Sequence, residues 1–365
     1  MPREPLVIGV LLGEGIGPEV VAAALDVLDA VTTGSGVPVK ICDGGSLGVG
    51  PRAPDMPLQA DVIDFCESVF AGRGAILHGA ISGRFVYDLR KRFDLFLKIS
   101  PLRIADGVAD ASRLRPEALR GLDILVTREN VGGVYQGGWD EDESHADGRR
   151  VRHHFTYTQA QVRRFLHASA RLARQRRGDL TVVWKESGLP AISKLWLACA
   201  EEAAAAHGVC FRMVDIDLMA YRLVHDAAAF DVIAAPNLFG DVLADLGAAL
   251  LGSRGVSFSG NYSETGNAVY QTNHGAARDL AGTDRANPVG QILALAMMLR
   301  ESFGLGNEAW AIEEAIRSVW HGGWRTEDIT IPGSRVVGTR AMGSRVAARA
   351  VEILQSRTRA AVAGQ

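Results

Sequence analysis

The feature that most constrains this chain is its first apolar run and the glycines after it. Leu6–Leu12 (LVIGVLL) leads straight into Gly13-Glu14-Gly15-Ile16-Gly17-Pro18. Such a run reads as a buried strand, and the glycines as a tight turn into a helix whose first turn holds Pro18. From Glu19 to Val31 an apolar stripe (Val20, Ala23, Leu25, Val27, Leu28, Val31) marks an amphipathic helix. The pattern repeats with a strand at Val37–Ile41, a helix at Asp61–Ser68 and a strand at Gly74–Leu77. This alternation predicts an α/β protein with mainly parallel sheets flanked by helices.

Further along, Ile124–Thr127, Leu180–Lys185, Phe211–Val214 and Asp231–Ala235 read as short strands, with helices at Thr158–Arg174, Ser193–His207 and Asp217–Asp226. The chain is mostly helical from Val289, ending in a helix over Arg340–Gln355. Residues 140–152 (DEDESHADGRRVR) are densely charged and 153–158 alternate like a strand, so a solvated hairpin or arm is expected there. No repeat of 20–50 residues is visible.

Composition removes several function classes. At 365 residues the chain calls for two domains or one large α/β unit. Thirty-nine basic against 42 acidic residues is too balanced for a general nucleic-acid binder. The longest apolar stretch, 286–299, falls short of the roughly 18–20 residues of a membrane span, so neither a nucleic-acid nor a membrane partner is expected. Gly13-Glu14-Gly15 stands where a leader peptide would need a cleavage site, which favours a strand over a leader at Leu6–Leu12. The four cysteines form no CxxC pair and read as reduced thiols of a cytoplasmic protein. The sequon Asn261-Tyr262-Ser263 carries no meaning in that compartment.

The candidate chemistry is scattered along the sequence. Gly13-Glu14-Gly15-Ile16-Gly17 is GxGxG rather than GxGxxG and is weak evidence for a dinucleotide loop by itself. In Asn237-Leu-Phe-Gly-Asp241-Val-Leu-Ala-Asp245 a helix would put Asp241 and Asp245 on one face. A solvated helix face and a site for Mg²⁺ or Mn²⁺ are both open readings of that pair. Asp217 opens another helix after a strand, where α/β folds bind ligands. Lys185 ends an apolar strand, where partial burial lowers a lysine's pKa enough for it to act as a base. Arg90 and Arg128 are candidate anion clamps, and Tyr135 lies in a glycine-rich turn. Together these groups suit a polycarboxylate substrate.

These segments carry a resemblance over nearly the whole chain. GEGIGPEV (13–20), LRKRFDLF (89–96), TRENVGGVYQGG (127–138), WKES (184–187), NLFGDVLAD (237–245), NHGAARDLAGTDRANP (273–288) and GWRTEDI (323–329) resemble the isocitrate/isopropylmalate dehydrogenase family, metal-dependent β-decarboxylating dehydrogenases of 2-hydroxy acids. The resemblance implies a two-domain fold, with a large cofactor-binding domain at 1–102 plus 256–365. A small dimerisation domain would span 103–255, with a clasp arm near 140–158. It implies NAD, Mg²⁺ or Mn²⁺, a small 2-hydroxy polyacid substrate, and a homodimer whose subunits share each active site. Residue by residue, it implies that Asp241, Asp245 and the partner subunit's Asp217 hold the metal. Lys185, also given across the dimer, would be the base and Tyr135 the acid. Arg90 and Arg128 would bind substrate carboxylates. His274, Gly275, Ala276, Asp279 and Asn287 would hold the adenosine half of the cofactor. Asp279 points to NAD rather than NADP, because an aspartate there repels a 2′-phosphate; Arg278 beside it replaces a usual proline.

Several positions leave the family pattern. Ser100 replaces a second carboxylate-binding arginine, leaving Lys98 or Arg103 to supply that contact. Ser187 and Gly188 replace an asparagine and an apolar residue after the base, Gln271 replaces a glutamate, and Glu14 an aspartate. Arg84 adds a cation before Arg90, in the loop that reads the substrate's 3-substituent; pointing to solvent or pairing with Asp88 four residues on is the other open reading of it. The expectation is therefore oxidative decarboxylation of a 3-substituted malate by NAD, with an anionic substituent such as a carboxylate or phosphonate. An ordinary 3-isopropylmalate dehydrogenase, a tartrate- or malate-type dehydrogenase and a non-catalytic regulatory subunit are the competing readings.

Overall fold

The first turn shows why glycine recurs there. Gly13 and Gly15 have φ of +72° and +57°, and a methyl on Gly15 would run into the Ala276 carbonyl oxygen. The computed structural model describes residues 4–50, 58–104, 107–144 and 146–363. The elements begin with β1 (Leu6–Leu11), α1 (Gly17–Ser35), β2 (Val39–Asp43), α2 (Ala60–Ala71), β3 (Ala75–His78), α3 (Phe85–Arg92) and β4 (Leu97–Arg103). Then come α4 (Pro116–Leu119), β5 (Asp123–Glu129), β6 (Gly138–Asp142), β7 (Arg150–His154), α5 (Gln159–Arg174), β8 (Asp179–Trp184) and α6 (Pro190–His207). Next are β9 (Cys210–Asp215), α7 (Ile216–His225), β10 (Val232–Ala235), α8 (Asn237–Leu250), β11 (Phe258–Tyr262) and β12 (Ala268–Thr272). The chain closes with α9 (Val289–Glu301), α10 (Gly306–His321), β13 (Trp324–Arg325), β14 (Arg335–Val336) and α11 (Thr339–Ala363).

Ten strands form one sheet in the order β2-β1-β3-β12-β11-β4-β5-β10-β8-β9. Six pairings are parallel; the three antiparallel ones, β12–β11, β11–β4 and β4–β5, lie together in the middle. On the first half of the sheet α1 packs on α11 and α9, and α10 on α9 and α11; on the other half α5 packs on α6 and α7 on α8. The final helix runs past the expected Gln355 to Ala363. The charged segment forms the antiparallel β6–β7 hairpin, and Thr158 closes a capping box with Gln161 to start α5 behind it. Asn261 of the sequon is buried in β11, its amide donating to the Val269 carbonyl. No helix among the described residues is long and apolar enough to cross a membrane.

Candidate active site

Strand alternation decides what β4 presents. Lys98 and Ser100 point to one face, Leu97, Ile99, Pro101 and Arg103 to the other, where they line a cavity of about 680 Å³. Arg103 therefore faces away from Lys98. Directly opposite Lys98 in the β4–β5 register stands Arg128, on the face that α8 covers. Gly240 permits that cover, since a Cβ there would lie 2.8 Å from the Arg128 side chain.

On this face Arg128 pairs with Asp241, and its Nε and Nη2 donate to Asn237 Oδ1 at 3.0 and 2.8 Å. The Tyr135 hydroxyl donates to the other Asp241 oxygen at 3.0 Å. Burial works against the Asp241 charge, but Arg128, Lys98 and the Tyr135 hydroxyl outweigh it and hold the carboxyl below the usual carboxylate range. Burial and then the Asp241 charge push the Tyr135 phenol well above its ordinary value, so the proton stays on the tyrosine. Arg90 and Lys98, both buried, have no carboxylate partner among the described residues. Burial and then Arg128 push Arg90 down from its ordinary value, and burial, Arg90 and Arg128 push Lys98 down. A guanidinium nonetheless stays charged in a protein. Two buried guanidinium groups and the buried Lys98 amine thus share one contacting carboxylate among the described residues, and unpaired buried charge is costly. The face is built to receive an anion.

Ser100 is tied to Asn273 at 3.4–3.5 Å, and Asn273 is anchored on Ser257 Oγ at 2.8 Å, so no cation stands at Ser100 itself. Lys98 lies two residues away on the same face.

The structure corrects two expectations. Lys185 is half-buried as expected, but its pKa is not lowered: its ammonium donates to Asp217 at 2.8 Å and Asp215 at 3.3 Å, which together raise its pKa. Arg84 is not a free cation. It pairs with Asp88 at 3.3 Å, donates to the Tyr135 carbonyl at 2.9 Å, and lies over the Tyr87 and Trp139 rings.

Asp241 and Asp245 do share one face of α8, one turn apart, with Asp245 held by Arg254 at 2.9 Å. Two carboxylates so placed fit a hard divalent ion. Asp217 is not brought to them within one chain, and among the described residues no three His, Cys, Asp or Glu side chains gather as a metal site.

The 273–288 loop lies against the first glycine turn, with the Ile16 N–H donating to the Ala276 carbonyl at 2.9 Å. The Ala276 N–H is taken by Ser82 Oγ at 3.1 Å, and Gly275 has no room for a Cβ beside the same hydroxyl. His274 is half-buried, burial lowers its pKa, and its buried Nε2 has no hydrogen-bond partner among the described residues. An orphaned ring nitrogen on the same loop as exposed Asp279 fits a loop that awaits a polar ligand. Asn287 is turned inward: its side-chain amide donates to Asp328 at 3.1 Å and its side-chain oxygen accepts from Val289 N–H at 3.0 Å. A cavity of about 700 Å³ opens beside the turn, lined by Gly13, Glu14, Ser82, Arg84 and Arg278 among others.

Sequence reasoning passed over Asn237, Glu129 and Tyr157. Asn237 links Arg128 to the Gly132 carbonyl (2.8 Å) and its own N–H donates to the Tyr157 hydroxyl. Burial pushes the Glu129 carboxyl up to about 7 although Val131 and Gly132 donate to it. Both Asn237 and Glu129 sit inside quoted motifs, and that position was the one available signal.

Comparison with known proteins settles the lineage. The sequence model for isocitrate/isopropylmalate dehydrogenase matches residues 7–346. The chain belongs to the isocitrate/isopropylmalate dehydrogenase family. A 3-isopropylmalate dehydrogenase of Methylococcus capsulatus is 34% identical over 356 residues, covering 93% of this chain and 98% of that protein. One from Anaeromyxobacter dehalogenans is 36% identical over 357 residues, covering 93% and 98%. The crystal structure of isocitrate dehydrogenase from Methylococcus capsulatus superposes with a TM-score of 0.83 at 27% identity, over 95% of this chain and 99% of that one. This family member is thus a decarboxylating hydroxy-acid dehydrogenase, of a group that uses NAD and Mg²⁺ or Mn²⁺.

Proposed function

We propose that this dehydrogenase oxidises the 2-hydroxyl of a 3-substituted malate and releases one carboxylate as CO₂, working in the cytoplasm as a homodimer. The buried triad of Arg90, Lys98 and Arg128 carries the reading, because two carboxylates of a malate core, together with Asp241, would match its charge. Lys98 stands in for the arginine that Ser100 replaces, and Arg103 is on the wrong face to do so. Near the 3-substituent, Arg84 is already matched by Asp88. That balance favours an uncharged substituent, as in the relatives named 3-isopropylmalate dehydrogenase, over the anionic one read from the sequence.

Asp241, Asp245 and the second copy's Asp217 would hold the divalent ion, whose chemistry there would be Lewis acidity, and the 274–288 loop would hold NAD, whose chemistry would be that of a hydride acceptor. The chain's own groups do the rest. The cation triad orients the carboxylates. Lys185 of the second copy takes the hydroxyl proton at Nζ as the neutral amine, once its contact with Asp217 is broken and its ammonium has given up a proton to solvent. After CO₂ leaves, Tyr135 donates its hydroxyl proton to the carbon left behind, and Asp241 holds that hydroxyl in place meanwhile. Sharing across a dimer is supported by what α7 and α8 expose: Leu218, Tyr221 and Val224 at three-residue spacing, with Val242 on α8. We take the two domains to meet along β4 and β11, with boundaries near 102 and 256 and the β6–β7 hairpin as the clasp. A substrate panel (malate, tartrate, 3-isopropylmalate, isocitrate) followed by NADH formation tests this. A 3-alkylmalate should be preferred, EDTA should abolish turnover and Mn²⁺ restore it. Full activity in EDTA, or equal turnover of a monocarboxylic 2-hydroxy acid, would refute the assignment.

A further inference from the structure

The strongest unassigned contact lies at the mouth of the cofactor cavity. Arg278, one residue before Asp279, reaches across from the 273–288 loop to pair with Glu14 in the first glycine turn. The partners differ in freedom. Glu14 is 9% exposed and its other oxygen accepts the Gly50 N–H at 3.2 Å, so it is fixed at both ends. Arg278 is 70% exposed and has no other hydrogen-bond or ion-pair partner among the described residues. Both line the same cavity of about 700 Å³.

The two neighbours on the loop have opposite effects on a dinucleotide. Asp279 repels a 2′-phosphate, whereas an arginine is the side chain best shaped to bind one in bidentate fashion. The guanidinium is available for that only if it is not already matched. We propose that Glu14 sets the dinucleotide preference of this enzyme indirectly, by holding Arg278 away from the ribose end of the cofactor; released from Glu14, Arg278 binds a 2′-phosphate. Glu14 is then a positioning residue, and the preference for NAD is a joint property of Asp279 and the Glu14–Arg278 pair. This rests on the reading of the 274–288 loop as the adenosine-binding segment.

The experiment is calorimetric titration of the full-length protein with NAD, NADP and 2′,5′-ADP, for wild type, Glu14→Gln, Arg278→Ala and the double variant. Glu14→Gln should raise the NADP-to-NAD affinity ratio by about fivefold, the factor that corresponds to losing an exposed ion pair of about 1 kcal/mol. It should tighten 2′,5′-ADP by a similar factor, and Arg278→Ala should erase both gains. If Glu14→Gln does not fold, Glu14→Asp, whose shorter arm withdraws from Arg278, carries the same test. An unchanged ratio, or a gain that survives Arg278→Ala, overturns the proposal while Asp279→Ala still weakens NAD binding. If Asp279→Ala leaves NAD affinity untouched, the loop assignment falls and the proposal with it.

Discussion

Replacing Lys98 by methionine separates what this residue costs the fold from what it gives the site. Lys98 is 4% exposed, sits directly across from Arg128 and feels Arg90 as well, with no carboxylate in contact. At a charge separation of roughly 6 Å and an effective dielectric of about 20, one such repulsion is worth about 2–3 kcal/mol. Asp241 and Asp245 offset part of it. Methionine keeps most of the volume and removes the charge, so the free protein should gain about 1–3 kcal/mol. Burial holds the Lys98 pKa below its unfolded value of 10.5, so the native state resists protonation. The cost to the wild type is therefore full at low pH, where both states are charged, and fades as pH rises through the folded pKa toward 10.5. The advantage of the variant should shrink in the same direction.

Binding should move the opposite way. If Lys98 completes the carboxylate clamp, its loss removes a charge-assisted hydrogen bond of about 1.5–3 kcal/mol, a factor of roughly 10 to 150 in substrate affinity. Urea unfolding at several pH values and the dissociation constant of the malate substrate together give both numbers. A variant that is more stable but binds substrate as the wild type does would show that Lys98 faces no ligand. A variant that is less stable would refute the electrostatic reasoning itself.

Other outcomes follow from the same contacts. Glu129 keeps its proton to about pH 7 in the fold but to only 4.5 when unfolded, so its burial costs nothing below pH 4.5 and up to about 3 kcal/mol above 7. Glu129→Gln should flatten the loss of stability across that window, and an unchanged slope in pH-dependent urea melts would contradict it. Arg84→Leu should cost about 1–2 kcal/mol through lost contacts to Tyr135, Asp88 and the two rings, yet leave the ratio of isocitrate to isopropylmalate kcat/KM within about twofold. A tenfold change in that ratio would restore Arg84 as a substrate cation. Tyr221→Asp, on the exposed face of α7, should shift sedimentation from dimer to monomer and abolish turnover. A wild type that sediments as a monomer at full activity would disprove the shared site.

The sequence by itself determined the α/β class and nearly every outer element, because an apolar strand run or an amphipathic stripe is a local signal. Leu6–Leu12, Glu19–Val31 and Leu180–Lys185 all lie on elements of the expected type. It also named Arg128, Tyr135, Asp241 and Asp245, since their motifs are contiguous. The middle of the sheet was not legible: β4, β11 and β12 carry Lys98, Ser100, Pro101, Gly260, Asn261 and Gln271, polar or breaking residues that tertiary packing forces into strands. Whether a charge is paired is likewise a tertiary fact. Whether Arg84 met the substrate or Asp88 was open until α3 set the two side chains together, and Lys185 looked like a half-buried base of lowered pKa until β9 and α7 set two carboxylates against it. Between Lys98 and Arg103, which the sequence left open as substitutes for the missing arginine, the fold decided: strand pleating turned Lys98 toward Arg128 and turned Arg103 away. Pattern along the chain specifies elements; charge balance depends on which side chains the fold brings within a few ångströms.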